Sequence, residues 1–176
     1  MFDFYTAYMD ISKIGKIKGI ATDVDGVLTD GTFWWDEHEL ELKRFCFADV
    51  TGIPLAQKEG IHMALISGES SKSGMAIVER YAKKLKISEV YKGCHDKAEA
   101  LHKFAKNNGL ELSEICFIGD DIADIPALEI AGLSVAPANA HQSVIAIADM
   151  VTSLAGGYGA LRELIDSIIE HNKKLT

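Results

Sequence analysis

A short apolar segment that ends in two aspartates constrains the fold of this chain more than any other feature. Residues 17–22 are mostly small or β-branched, which predicts a buried β-strand. Asp23 and Asp25 follow directly, and Gly26 then allows the backbone to turn. Burying carboxylates beside a hydrophobic strand is costly without compensation, so a bound cation or a catalytic role is expected for this pair. A loop of solvated aspartates is the alternative for the motif taken alone.

Strand-like segments alternate with helix-like segments along the rest of the chain. The predicted strands are 61–66, 90–91, 115–118, 133–136 and 150–152, and the predicted helices are 53–59, 71–85, 96–108, 124–130 and 160–172. Ser70 or Ser71, and Asp96, are suitable N-caps, and Pro54 and Pro126 suit the first turns of their helices. This alternation predicts an α/β fold with a three-layer, Rossmann-like, largely parallel sheet in one domain spanning 1–176. Residues 1–16 are predicted to be an irregular or helical lead-in.

Two aromatic-rich runs interrupt this alternation. Thr32–Trp35 and Leu40–Phe47 flank the polar residues 36–39, a pattern that predicts a β-hairpin. Its apolar content is high for an excursion from the core, and exposed patches of this kind often mark an interface. We therefore expect residues 32–47 to form an interface. The alternative is a hairpin that folds back on its own domain.

Composition excludes several classes of partner. The net charge of −8 argues against a nucleic-acid surface, and local cations or a metal must offset it for an anionic substrate. The three cysteines show no CxxC spacing, which argues against disulfides or zinc and favours a reducing cytoplasm. No apolar run approaches the roughly 18 residues of a membrane span, and the acidic N-terminus does not resemble a secretion signal. We expect a cytoplasmic protein without nucleic-acid or membrane partners.

Polar residues follow three of the predicted strands. In parallel α/β sheets ligands bind outside the carboxyl ends of the strands, so we expect these side chains at one edge. Oxygen-only ligands favour Mg²⁺ over zinc. A serine hydroxyl, backbone N–H groups and a lysine near a helix start could hold phosphate oxygens, and the set as a whole indicates phosphoryl transfer. The residues that follow the strands are Asp23, Asp25, Ser67, Asp120 and Asp121, and Lys97 and Asp124 complete the set.

The two aspartates after the first strand suit a covalent mechanism. A carboxylate can act as nucleophile through an aspartyl-phosphate, while a second acid protonates the departing alkoxide and then activates water. Asp23 and Asp25 lie on one side of an extended chain and provide that pair. A phospho-receiver signalling module is an alternative of a different class, although it would not need Asp25. A catalytically inactive interaction subunit is disfavoured because every residue that the mechanism needs is present.

Four motifs in this order resemble the haloacid dehalogenase superfamily of phosphatases. They are Asp23-Val24-Asp25-Gly26-Val27, Ser67-Gly68, Lys97, and Gly119-Asp120-Asp121-Ile122-Ala123-Asp124. The resemblance implies that Asp23 is the nucleophile and Asp25 the general acid/base. It also implies an Mg²⁺ site at Asp23, the Asp25 carbonyl and Asp120. Phosphate would be held by Ser67, Gly68 and Lys97, with Asp121 and Asp124 supporting the metal site or orienting Lys97.

Within that superfamily the chain is similar to the 3-deoxy-manno-octulosonate (KDO) 8-phosphate phosphatases. The similarity lies in residues 25–31, 119–121, 132–136 and 156–163. It implies a 2-keto-3-deoxy sugar-acid phosphate as substrate and a homotetramer whose 32–47 hairpins pack together. The segment between Gly31 and Ser67 has room for the hairpin but not for a cap domain.

The residues expected to read the sugar differ from that family. Ala48, Glu69 and Tyr158 stand where arginines are usual, and arginine is the natural bidentate partner for a substrate carboxylate. A glutamate could instead accept hydrogen bonds from the hydroxyls of a nine-carbon sugar acid. An N-acylneuraminate or KDN 9-phosphate is therefore the alternative substrate. Thr29 and Thr32 are further candidates for specificity.

Overall fold

The computed structural model describes residues 15–38 and 40–175. Most of the predicted lead-in, residues 1–14, lies outside this part. The strands are β1 (Gly19–Thr22), β2 (Phe33–Trp35), β3 (Glu41–Lys43), β4 (His62–Ile66), β5 (Glu89–Tyr91), β6 (Ile115–Ile118), β7 (Leu133–Ala136) and β8 (Met150–Val151). The α-helices are α1 (Phe47–Lys58), α2 (Lys72–Leu85), α3 (Lys97–Asn108), α4 (Ile125–Leu128), α5 (Gln142–Ile145) and α6 (Ala160–Lys174).

Six strands form one parallel sheet in the order β5-β4-β1-β6-β7-β8. Gly19 of β1 is aligned with His62 on one side and with Ile115 on the other. From β1 the chain first builds outward through β4 and β5, and then returns to build the other half through β6, β7 and β8. The loops after β1 and β6 therefore flank the point where the strand order reverses, which is where such sheets bind ligands.

Helices cover both faces of the sheet. Ile20 points into one core, where Leu65, Val78 and Leu164 link the sheet to α2 and α6. The next residue, Ala21, points into the opposite core, which contains side chains of α3 and α4. Because neighbouring residues of β1 face opposite sides and all are buried, the strand reads as continuously apolar. The predicted three-layer, Rossmann-like α/β fold is confirmed.

The predicted start of α1 was wrong. The helix begins at Phe47, and Pro54 lies in its interior rather than in its first turn. A Cβ atom at Gly52 would lie 2.8 Å from Cδ of Arg162, which shows how closely α1 packs on α6. This packing offsets two poor helix formers, a contribution that local propensity does not reveal. As a consequence the second arm of the hairpin ends at Lys43 and does not extend to Phe47.

Other elements lie close to their predicted positions. The Ser71 and Asp96 side chains cap α2 and α3 by accepting hydrogen bonds from Gly74 N at 3.1 Å and Glu99 N at 3.0 Å. The predicted helix 124–130 is a 3-10 turn, Ile122–Asp124, followed by the short α4. Helix α5 was not predicted.

The hairpin presents apolar side chains to solvent. Trp34 is opposite Leu42 across the two strands, and their exposed fractions are 55% and 56%. Trp35 is 67% exposed and its ring lies 4.8 Å from that of Phe33. Between Gly31 and Ser67 the described residues form only this hairpin, α1, β4 and their connections, and none of them forms a cap domain. None of the described helices combines the length and apolar character needed to cross a membrane.

Candidate active site

The loop after β1 holds Asp23 at the carboxyl edge of the sheet. The Asp23 amide donates to the carbonyl of Ile118 at 3.0 Å, so the β1–β6 pairing continues to the aspartate itself. Gly26 then turns the chain with a φ of +97°, and its amide donates to the Thr29 hydroxyl at 3.2 Å. A Cβ atom at Gly26 would lie 2.0 Å from Oδ2 of Asp120, so glycine is required for the close approach of these two loops.

A buried lysine lies beside Asp23. Lys97, the first residue of α3, is 5% exposed. Its ammonium group lies 2.8 Å from Oδ1 of Asp23 and 2.5 Å from Oδ1 of Asp124. Burial alone would lower the pKa of Lys97, but the two carboxylates outweigh it and raise the pKa. Lys97 therefore carries a fixed positive charge next to the predicted nucleophile.

Asp124 organises the loop after β6. Its carboxylate is fully buried, and Oδ2 accepts hydrogen bonds from the amides of Asp120 and Asp121 at 2.9 and 3.0 Å. With Oδ1 bound to Lys97, both oxygens are engaged. Asp121 is exposed instead, and its own Oδ1 accepts from the Ile122 amide at 2.8 Å to cap the 3-10 turn. Asp124 thus binds Lys97 and two backbone amides, whereas Asp121 caps the local turn.

Three carboxylates converge at this edge. Oxygens of Asp23, Asp120 and Asp124 lie within 4.8 Å of one another. Burial raises the pKa of Asp23 and Asp120, and the negative charges of the neighbouring aspartates raise the pKa of Asp120 further. Oδ1 of Asp120 is buried without a hydrogen-bond partner in the described part of the chain. A divalent cation would balance this charge, and the oxygen-only donor set fits Mg²⁺.

Ser67 and Gly68 lie at the end of the neighbouring strand. Leu65 of β4 is aligned with Thr22 of β1, so Ser67 follows β4 at the same edge at which Asp23 follows β1. The Ser67 side chain is buried, and its hydroxyl accepts from the Glu69 amide at 3.1 Å. Asp23, Ser67 and Asp120 thus follow their strands at one edge of the sheet, and Lys97 reaches Asp23 there from the start of α3.

Sequence reasoning missed Lys43, which binds Asp25. The Lys43 side chain is 4% exposed, and Nζ lies 2.9 Å from each carboxylate oxygen of Asp25. Nζ also lies 3.1 Å from Glu69 Oε2 and 3.2 Å from Glu41 Oε1. A signal was available, because β3 is inverted: Leu42 faces solvent while Glu41 and Lys43 share the inward face. Charged residues two apart in a strand that exposes its apolar residue indicate a polar contact on the buried side.

The residues proposed to determine substrate specificity lie in different environments. The Thr29 hydroxyl is buried within its own turn, and the exposed Thr32 donates to Oδ1 of Asp30 at 2.5 Å. Glu69 is held by Lys43 and by the Ser71 amide, which donates to Oε1 at 2.8 Å.

An arginine lies over the glycine loop. The Arg44 guanidinium lies 4.4 Å above the Tyr158 ring and 2.9 Å from Oδ2 of Asp30. Ala48 is close by, because a Cβ atom at Gly159 would lie 3.7 Å from it. An arginine therefore does reach this part of the site, but it comes from position 44 and not from position 48, 69 or 158.

A Rossmann-like sheet with these carboxylate–lysine contacts at its carboxyl edge fits an enzyme that hydrolyses phosphate esters, and comparison with known proteins identifies the family. Residues 66–161 match the model of the haloacid dehalogenase-like hydrolases. The chain belongs to this family, as its motifs suggested.

Known relatives and structures agree with this assignment. The 3-deoxy-D-manno-octulosonate 8-phosphate phosphatase of Escherichia coli K12 is 37% identical, over 94% of this chain and 86% of that protein. The enzyme of the same name from Moraxella catarrhalis, solved with magnesium, phosphate and KDO, superposes with a TM-score of 0.84. It is 37% identical, over 90% of this chain and 88% of that one. The Yersinia pestis enzyme gives a TM-score of 0.85 at 36% identity, over 90% and 84% of the two chains.

These findings confirm three expectations. The family, the phosphoric monoester hydrolase class and Mg²⁺ as cofactor all agree with the comparisons and with the acidic cluster.

Proposed function

We propose that this protein is a Mg²⁺-dependent phosphatase, a single domain spanning 1–176, that hydrolyses the phosphate monoester of a 2-keto-3-deoxy sugar acid. The most favoured substrate is 3-deoxy-D-manno-octulosonate 8-phosphate, in line with the names of the relatives. The observation that carries the proposal is the contact of Asp23 with Lys97 at 2.8 Å, beside the acidic cluster. Together, this contact and the cluster place the proposed nucleophile, a positive charge and the proposed metal ligands close to one another.

The phosphate would be bound by groups at the ends of β1 and β4 and the start of α3. Lys97 offers its charge, and Ser67 and Gly68 offer a hydroxyl and backbone N–H groups. Asp23, Asp120 and the Asp25 carbonyl would hold Mg²⁺, which when bound neutralises charge on the phosphate and the nucleophile.

The proposed reaction has two steps with balanced protons. In the first, a carboxylate oxygen of Asp23 bonds to phosphorus, the bond from phosphorus to the sugar oxygen breaks, and Asp25 gives its proton to that oxygen. In the second, Asp25 takes a proton from water as the water oxygen bonds to phosphorus. The Asp23–phosphorus bond breaks, inorganic phosphate leaves, and both aspartates return to their starting forms.

Removal of the nucleophile tests the function. We expect Asp23→Ala to abolish phosphate release, and Asp25→Asn to accumulate a phosphorylated Asp23 that hydrolyses slowly. Asp166→Asn, on the surface in an exposed pair with Arg162, is the matched control with normal turnover. Full turnover by Asp23→Ala contradicts the proposal. A stable phospho-aspartate in the unmodified protein, without turnover, identifies a phospho-receiver module instead.

A nine-carbon 9-phosphate is the second candidate substrate, and the surroundings of Asp25 favour it. Among the described residues, Asp25, Glu41 and Glu69 surround the ammonium of Lys43, so negative charge is in excess in this part of the site. Both candidate substrates carry one carboxylate, but the nine-carbon acid offers the longer polyhydroxyl chain to these acceptors. Kinetics of octulosonate 8-phosphate and of N-acylneuraminate and KDN 9-phosphates, measured side by side, decide between the two.

Assembly through the hairpin is part of the proposal. The exposed Leu42, which lies opposite Trp34, is part of the lining of a cavity of about 330 Å³ between β3, α1 and α2. Apolar side chains such as Phe45, Phe47 and Val50 line it together with charged ones. We propose a homotetramer in which the 32–47 hairpins pack together. Trp34→Ser with Leu42→Ser should lower the particle mass in light scattering, whereas Ile147→Ser, at an exposed site elsewhere, should not. An unchanged mass in the hairpin variant excludes this interface.

A further inference from the structure

The hairpin reaches the site through one lysine. Lys43 lies on β3, and in the described part of the chain it is the only side chain that hydrogen-bonds the Asp25 carboxylate. Asp25 itself is 38% exposed at its side chain, while Lys43 is 4% exposed. The partly solvated aspartate is thus held from its buried side by a residue of a different element.

Lys43 is itself fixed by two anchored glutamates. Glu41 Oε2 accepts from the Trp35 indole N–H at 3.0 Å, and Glu69 Oε1 accepts from the Ser71 amide at 2.8 Å. The second oxygen of each glutamate lies within 3.2 Å of the Lys43 ammonium. An ammonium group has three N–H donors. Here it donates to Asp25 and Glu69 and forms an ion pair with Oε1 of Glu41. The two glutamates therefore fix the position of the ammonium that binds Asp25.

This geometry argues against a direct role for Lys43 in binding substrate. Its side chain is almost entirely buried, and its ammonium is surrounded by the carboxylates of Asp25, Glu69 and Glu41. A group in this state acts on the reaction through the residue that it holds.

We propose that Lys43 is a positioning residue that fixes the Asp25 carboxylate where it exchanges protons with the leaving oxygen and with water. The inference rests on the proposed phosphatase function. It also gives the hairpin a catalytic consequence, because the strand that carries the exposed apolar residues carries this lysine on its other face. Displacing β3 would move Asp25.

The expected kinetic effect is on kcat. General acid–base catalysis contributes about 10²–10⁴-fold, and a misplaced group keeps part of that contribution. We therefore expect Lys43→Met to lower kcat for a sugar or alkyl phosphate by about 10–100-fold, because proton transfer depends on the position of the acid. KM should change little, since the phosphate is held by Ser67 and Lys97. Lys43→Arg keeps the charge and should recover part of the rate.

A double-mutant cycle with Asp25→Asn tests whether Lys43 acts through Asp25. If it does, Lys43→Met should cause no further loss of kcat in the Asp25→Asn background. Losses that multiply would show that Lys43 acts independently, and would overturn the proposal. Full turnover in Asp25→Asn alone would refute the proposed role of Asp25 itself. The two failures are therefore distinguishable.

The leaving group gives a second readout that misfolding cannot imitate. p-Nitrophenolate departs without a proton, so Lys43→Met should still phosphorylate Asp23 rapidly with p-nitrophenyl phosphate. It should then hydrolyse the phosphoenzyme slowly, producing a burst of p-nitrophenol. An equal loss on aryl and alkyl phosphates without a burst contradicts the proposal.

Folding of the variants needs its own control. Removing Lys43 leaves three neighbouring carboxylates without their cation, so circular dichroism of Lys43→Met must match the unmodified protein. If it does not, Lys43→Arg carries the same cycle, and any loss that it causes must vanish in the Asp25→Asn background. Lys92→Met removes a lysine from a pair with Glu79, away from the site, and should leave turnover unchanged.

Discussion

Replacing Gly26 by alanine should damage both the metal site and the fold. The backbone there has a φ of +97°, and a Cβ atom would lie 2.0 Å from Oδ2 and 2.4 Å from Cγ of Asp120. No two non-bonded heavy atoms approach so closely in a relaxed structure, so Asp120 has to move away from the loop that carries Asp23. Because Asp120 belongs to the acidic cluster, its movement should weaken Mg²⁺ binding directly.

The magnitude follows from two separate costs. A non-glycine residue in the left-handed region costs about 1–2 kcal/mol, and forcing extra volume into a packed site costs about 1–3 kcal/mol. The free energy of unfolding should therefore fall by about 2–5 kcal/mol for Gly26→Ala, as the sum of these terms. Mg²⁺ affinity should fall by at least about tenfold, since even indirect disturbance of a metal ligand costs about 10–100-fold.

Gly109→Ala separates the two costs. Gly109 caps α3 with a φ of +63°, and nothing lies within 4 Å of its Cβ position. This variant carries only the backbone strain, so urea unfolding should show the smaller loss of stability. Its Mg²⁺ dependence should be normal. Titrating phosphatase rate and melting temperature with Mg²⁺ compares the variants, and an unchanged Mg²⁺ affinity in Gly26→Ala would refute the reasoning.

Two further predictions concern charge. Burial raises the pKa of Asp49 to about 6 and also raises that of Asp120, so the folded metal-free protein retains protons that the unfolded chain has released. The free energy of unfolding in chelator should therefore fall as the pH rises from about 4 to about 8, and Mg²⁺ should stabilise the protein more at the higher pH. Melting curves at both pH values, with and without Mg²⁺, check this. A stability that rises with pH in chelator would contradict it. Asp124→Asn breaks a fully buried pair with Lys97 and should cost about 3–5 kcal/mol in urea unfolding. The exposed Glu99→Gln should change little, and equal losses would show that burial of the pair is unimportant.

The predictable part of the site depends on strand topology. Asp23, Ser67 and Asp120 each follow an apolar run, and parallel pairing of β1, β4 and β6 necessarily brings the ends of those runs together. A glycine at position 26 indicates that another group packs closely against the backbone there, although only the structure identifies this group as Asp120. Local patterns suffice here because the geometry of a parallel sheet supplies the long-range information.

The part that could not be predicted depends on which partner a distant element supplies, and local patterns do not name that partner. Helix α1 begins at Phe47 because its packing on α6 compensates for Gly52 and Pro54. Lys43 is buried because three carboxylates from different segments meet it, whereas a lysine in isolation is expected in solvent. In both cases a residue with an unfavourable local preference is stabilised by a distant partner.

The two proposed catalytic aspartates differ in a way that matches their proposed tasks. Asp23 and its partner Lys97 are both about 5% exposed, so the nucleophile lies in a nearly dry environment where its attack on phosphorus competes little with water. The Asp25 side chain is 38% exposed, and Lys43 holds it from its buried side, so its exposed side can contact both the leaving sugar and the incoming water. Each aspartate has its own lysine, one on α3 and one on the hairpin. A disturbance of the hairpin should therefore slow proton transfer while leaving the nucleophile in place.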